Sequence, residues 1–170
     1  MGNVEYWRLY QSGQFVHFGA VREIADGGWH DKLRHATMDH LRHLKDVPWD
    51  SVPGYISLTN LVYTVTEYFE FAARICQAGV YRGGVTLTLE LRGVNGVVLT
   101  TDWSRGWSEY RAASVDQLSK KWHLASERLV ADSAQHALDA ILWLCECFGW
   151  MSPNVDSIKE DQQKLLSGSL

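Results

Sequence analysis

Glu67 and Glu70 lie three residues apart in the segment TEYFEFAAR, inside a stretch of helical periodicity. That spacing puts both carboxylates on one helix face. Two carboxylates so placed can share general acid and general base roles around a substrate. They can equally pair with Arg74 and with hydroxyls on a neighbouring sheet. No motif brings a histidine or nucleophile to them, so structural pairing is the expected reading and an acid–base cleft beside the helix is the alternative. A second concentration is His30, His35, His40 and His43. His40 and His43 share a helix face and could ligate a metal with Asp39. HEXXH is absent, and Arg34, Arg42 and Lys45 repel a cation, so a solvated polar helix is expected and no metal. The glycines of GVYRGGV match no phosphate-binding loop, and no GxSxG occurs. Ser12 in QSGQ reads as a turn residue. No catalytic residue and no cofactor is assigned.

The remaining chemistry-bearing set is aromatic and basic: Tyr6, Arg8, Tyr10, Phe15 and His17. They lie in VEYWRLYQSGQFVHFGAVRE, residues 4–23, which reads as a hairpin about Ser12-Gly13. A two-residue loop pairs Tyr10 with Phe15, Leu9 with Val16, Arg8 with His17 and Trp7 with Phe18. Side chains alternate across a sheet. Trp7, Leu9, Val16, Phe18 and Ala20 then share an apolar face expected to be core. Tyr6, Arg8, Tyr10, Phe15 and His17 share the other. That second face either packs under a helix or meets a partner. Tyr and Arg are enriched at protein interfaces, and aromatics beside Arg can also stack single-stranded bases.

Composition narrows the classes. The 170 residues suit one domain, with an ordinary 46% hydrophobic and 21% charged content. A net charge of −4 argues against a general phosphate-binding surface, so nucleic acid is not favoured. The 8 tryptophans hint at contact surfaces. Cys76, Cys145 and Cys147 are odd in number and lack a paired spacing, which argues for a reducing compartment and buried thiols. The opening MGNVEYW has no apolar run and reads as no secretory leader, and no apolar stretch reaches membrane-spanning length. A cytoplasmic protein is expected, with no membrane contact.

Periodicity places the elements that must position these residues. A polar helix is expected near 31–45. A helix is expected at 58–78, capped by Ser57, with a stripe of Leu58, Leu61, Val62, Val65, Phe69, Ala72, Ile75 and Cys76. A second hairpin is expected at 84–103. A three-residue loop, Val94-Asn95-Gly96 with Gly96 left-handed, would set Leu91 opposite Leu99 and keep the apolar face together. A two-residue Asn95-Gly96 loop would set Leu91 against Thr100 instead. A connection carrying Trp107 and Tyr110 leads to a fifth strand at 122–130. Asp132 with Gln135 resembles a capping box opening a helix that ends at Phe148, and a short polar helix follows at 155–166. The expectation is a single α+β domain, residues 1–170: an antiparallel sheet of two hairpins plus one strand, with two long helices on one face.

The tracts RLYQSGQFVHFGAVRE, SLTNLVYTVTEYFEFAARI and IKEDQQKLL resemble the C-terminal region of bacterial Schlafen-AlbA-type ATP-binding proteins, over most of the chain. The resemblance implies bacterial origin and a role beside a regulatory or nucleic-acid-linked module. The family's AlbA-type domain would precede residue 1, so its activity carries over to no residue here. The expected function is an accessory domain that binds a protein partner or itself through Tyr6, Arg8, Tyr10, Phe15 and His17. An enzyme using Glu67, Glu70 and a histidine, or a single-strand nucleic-acid binder, are the alternatives.

Overall fold

The structure, a computed structural model, describes residues 6–21, 23–24, 51–101 and 111–169. Its strands are β1 (Tyr6–Leu9), β2 (Phe15–Phe18), β3 (Glu23–Ile24), β4 (Gly54–Ser57), β5 (Val85–Arg92), β6 (Val98–Thr100) and β7 (Gln117–Leu124). Its helices are α1 (Leu58–Gln77), α2 (Ser126–Ala131), α3 (Ser133–Cys147) and α4 (Val155–Ser167). Helices and mainly antiparallel strands make this an α+β fold, as expected. The helix expected near 31–45 lies outside the described residues, as do Trp103, Trp107 and Tyr110.

Helix α1 follows directly from its sequence. The Ser57 side chain accepts from the Asn60 amide at 3.4 Å and caps it. The chain leaves the helix at Gly79, where Val80 N donates to Ile75 O at 3.2 Å. Its expected stripe is buried apart from the half-buried Ile75. The many β-branched residues lower helix propensity, so this burial must stabilise the helix. Truncating one such buried Leu to Ala typically costs about 2–5 kcal/mol. Helix α3 packs along α1, and its Ala137, Leu138, Ile141, Leu144, Cys145 and Phe148 are buried as expected. Its capping box does not form. Asp132 makes no side-chain cap, because it joins α2 to α3 as a single-residue kink with φ −150° and ψ 49°, and the Gln135 amide bonds Asp139 at 2.8 Å instead. Helix α4 is amphipathic and opens on Asn154, whose side chain accepts from the Asp156 and Ser157 amides.

The second hairpin is corrected. Strand β5 pairs antiparallel with β7, over eight residues from Val85↔Leu124 to Arg92↔Gln117, and not with β6. Gly96 does take the left-handed conformation, with φ +73°, but the turn it makes carries the chain away from β5. Strand β6 pairs parallel with β4, Ile56 opposite Leu99, and bridges Ala112 on its other side. The reason lies in burial. Val97, Val98, Leu99 and Thr100 are all buried, so β6 is enclosed on both faces, whereas a hairpin strand alternates. Leu91 and Leu99 still enter the same core, on different sheets.

The fifth strand is also shifted, to Gln117–Leu124 rather than 122–130. Its start was hidden by Lys120 and Lys121. Lys120 sits among the inward-facing residues, opposite Leu89, with its ammonium 5.4 Å from the Trp122 ring and 5.3 Å from the Trp143 ring. The aliphatic stem lies along apolar surface while the charge faces two π systems. The inward face of β5–β7 is otherwise Val85, Leu87, Leu89, Leu91, Leu118, Trp122 and Leu124; the outward face is polar. One core joins β4, β5, β6, β7 and all four helices.

Gly84 leaves the least room for a side chain among the glycines compared. It has φ +148°, and a Cβ there would stand 2.8 Å from the Leu124 carbonyl oxygen. The neighbouring Gly83 has open space around it. Gly84→Ala is expected to destabilise by about 2 kcal/mol. Gly83→Ala should stay within about 0.5 kcal/mol of wild type in urea unfolding.

Candidate functional site

The first hairpin forms, but one residue out of the expected register. The observed partners are Tyr6↔Phe18, Trp7↔His17, Arg8↔Val16 and Leu9↔Phe15. The loop has three residues: Tyr10 N donates to Gln14 O at 2.8 Å, and Gly13 N donates to Tyr10 O at 2.9 Å. Gly13 closes it with φ +82°, a conformation that glycine adopts without steric cost. A one-residue slip moves side chains to the opposite face relative to their partners. The two expected faces are therefore mixed. Tyr6, Arg8, Val16 and Phe18 share one side, and Trp7, Leu9, Phe15 and His17 share the other.

This divides the candidate residues. Phe15 and His17 meet α1. Phe15 lies 4.6 Å from Phe71 between ring centroids. His17 Nδ1 and the Tyr68 hydroxyl are hydrogen-bonded at 2.6 Å, with the rings edge to face. Tyr6, Arg8 and Tyr10 remain on the outside. The Arg8 guanidinium lies 4.7 Å from the Tyr10 ring centroid, and Tyr6 lies 6.3 Å from Phe18. The expected apolar core face is corrected too. Trp7 is 67% exposed, Leu9 59% and Phe18 61%, Ala20 is exposed, and only Val16 is half-buried. All four residues of β1 are exposed, while its neighbour β2 packs on α1.

The carboxylates do not converge. Glu67 is exposed, while Glu70 accepts a hydrogen bond from the Ser133 hydroxyl at the first residue of α3. A carboxylate there also faces the positive end of the α3 dipole. Glu70 thus fastens α1 to α3, and its expected neighbour Arg74 is exposed. Among the described residues, no three His, Cys, Asp or Glu side chains stand close enough to share a metal. His40 and His43 lie outside them.

Sequence reasoning missed a cleft of about 1100 Å³ between the hairpin, α1 and β5. Its floor is a second α1 stripe: Thr64, Tyr68, Phe71 and Ile75. The spacing of four, three and four residues was legible, but the first stripe drew the reading. Tyr81 closes one end by donating its hydroxyl to the Gly13 carbonyl. All three cysteines are free thiols. Burial pushes the Cys145 thiol up to about 12, opposed by the Arg111 charge. Arg111 itself stacks 3.9 Å over Trp150. Burial also raises Cys147, with help from Glu146 and opposition from Lys120.

Comparison of the chain with protein-family models, characterised proteins and solved structures finds no match in any of the three. The site is therefore read from its own geometry.

Tyr68→Phe removes the His17 bond but keeps the ring. It is expected to cost about 1 kcal/mol and to speed proteolysis within the hairpin while the core remains protected. The Cys145 shift carries a pH signature. Its folded pKa lies above the unfolded value of 9.0, so above pH 9 the unfolded state holds fewer protons. Its contribution is present below pH 9 and is lost as pH rises toward about 12. Cys145→Ala should show a shallower alkaline decline in unfolding free energy than wild type.

Proposed function

We propose that this chain is a non-enzymatic interaction domain that binds a protein surface, a partner's or its own copy's, through the β1–β2 hairpin. One observation carries the reading. Of the 11 exposed large hydrophobic residues described, Tyr6, Trp7, Leu9, Tyr10 and Phe18 gather on this one ribbon. Outside it, Phe71 borders the cleft and the others are spread along the chain from Val80 to Leu166. Scattered apolar residues are ordinary on a protein surface, whereas their concentration on one short ribbon points to an interaction site. Aromatic rings offer large, rigid contact area, and Arg8 adds an orienting polar group. Phe15 and His17 serve the same site from beneath, by anchoring β2 on α1.

The set that does the binding therefore differs from the one read off the sequence. Tyr6, Arg8 and Tyr10 keep their roles, and Trp7, Leu9 and Phe18 join them. Arg8 is the only Lys or Arg in residues 6–18, which is poor provision for tracking a phosphate backbone. On its sequence resemblance to Schlafen-AlbA-type proteins, the domain belongs to a bacterial regulatory or defence-type system.

Arg8→Ala combined with Tyr10→Ala should reduce the association seen in sedimentation velocity while unfolding free energy stays within about 0.5 kcal/mol of wild type. Phe15→Ala, by contrast, should cost about 2 kcal/mol or more, because its ring packs on Phe71. A large stability loss in the double variant with unchanged association would end the interface reading.

A further inference from the structure

Among the described strands, β5 pairs along one edge only, with β7. Its other edge borders the cleft, whose wall takes in every residue from Gly84 to Val94. A sheet edge is a row of N–H and C=O groups ready to pair with another extended chain. Proteins usually blunt such edges with short strands, prolines, bulges or charges. Strand β5 has none of these protections over most of its length. It is 8 residues long, against a usual length of about 5–6, and its register with β7 is unbroken. It has no proline, and VTLTL, its first five residues, carries no charge. Strand β7 differs: it carries Lys120 and Lys121 and contributes only Lys121 to the cleft.

We propose that the cleft receives an extended peptide segment of a protein partner, added as a third strand on the free edge of β5. Main-chain pairing along β5 selects an extended backbone over a helix or a compact small molecule. The floor selects alternate apolar residues, because Tyr68, Phe71 and Ile75 lie on the side to which Leu87 and Leu89 also turn. Opposite this, Thr86, Thr88, Glu90 and Arg92 form the outward face of β5, so the intervening residues of the added strand are polar. The occupant therefore continues the apolar-in, polar-out alternation of β5 for about eight residues. Tyr81 holds the opposite wall in place through its bond to Gly13. This site shares only Phe18 with the proposed hairpin surface and does not rest on that reading.

The test uses the whole chain and a fluorescein-labelled pool of peptides matching the eight residues of β5. Alternate positions are Val, Ile, Leu or Phe, and the rest are Thr, Ser or Lys. The tightest member is remade with N-methyl groups on one alternate set of amides or on the other. Saturable binding is expected by fluorescence anisotropy, weakened at least roughly tenfold more by one N-methyl set than by the other. Bound peptide should also slow amide exchange at alternate residues of β5. Thr64→Trp, which fills the floor, should abolish binding, while Arg8→Ala with Tyr10→Ala should leave it unchanged, which separates this site from the hairpin surface. Should Thr64→Trp fail to fold, the N-methyl pair alone decides. No binding by any pool member, or equal affinity for both N-methyl sets, would overturn the proposal. Protected β5 edge amides in the free monomer would show the chain's own backbone in the cleft. Protection that grows with concentration and a dimer mass would show a second copy there; either result also overturns it.

Discussion

Enclosure of α1 is the constraint on which the rest of the structure depends. Within the few residues from Thr66 to Phe71, it reaches four other elements. The Thr66 hydroxyl accepts from Gln162 of α4 at 3.1 Å. Phe69 meets Trp122 of β7 edge to face at 5.8 Å. Glu70 holds Ser133 of α3, and Tyr68 and Phe71 carry β2. A helix with low intrinsic propensity is stable here because nearly every face has a neighbour.

Buried polar groups define how those neighbours sit. Gln162 is buried, and its amide also donates to the Ala134 carbonyl at 3.1 Å, near the start of α3. One side chain thereby ties α4 to both long helices. Leaving such donors unsatisfied costs more than the bonds return, so the arrangement specifies one packing of three helices over sliding alternatives. The same logic explains the EDQ tract near the C-terminus. Its Asp161 and Gln162 are buried and structural, while Glu160 is exposed.

The two surfaces assigned to binding share a physical origin: each is a strand that the core does not finish. Strand β1 lies beyond the reach of α1, so both of its faces meet solvent. Strand β5 turns Val85, Leu87, Leu89 and Leu91 toward the core yet is paired on one edge. A two-stranded ribbon gains little stability by itself and draws it from the helix beneath. Rigid attachment at Tyr81, Tyr68 and Phe71 lets the ribbons present their open sides in a defined geometry.

The local part of this structure was legible in the chain. Helices α1, α3 and α4 follow from apolar spacing and, for α1, from the Ser57 cap, because a helix closes its hydrogen bonds within a few residues. The left-handed turn at Gly96 was legible for the same reason. Strand partners were not. A strand's bonds go to another segment, so β5 and β6 could each be recognised while their pairing with β7 and β4 was decided by which faces the core could bury. The site shows the same division. Sequence alone singled out Tyr6, Arg8, Tyr10, Phe15 and His17 by their chemistry. Only the tertiary structure decided that Phe15 and His17 turn inward to Phe71 and Tyr68, and that Trp7, Leu9 and Phe18 stay exposed. A third loop residue ending in left-handed Gly13 shifts the register by one, and where α1 ends its coverage sets what remains exposed.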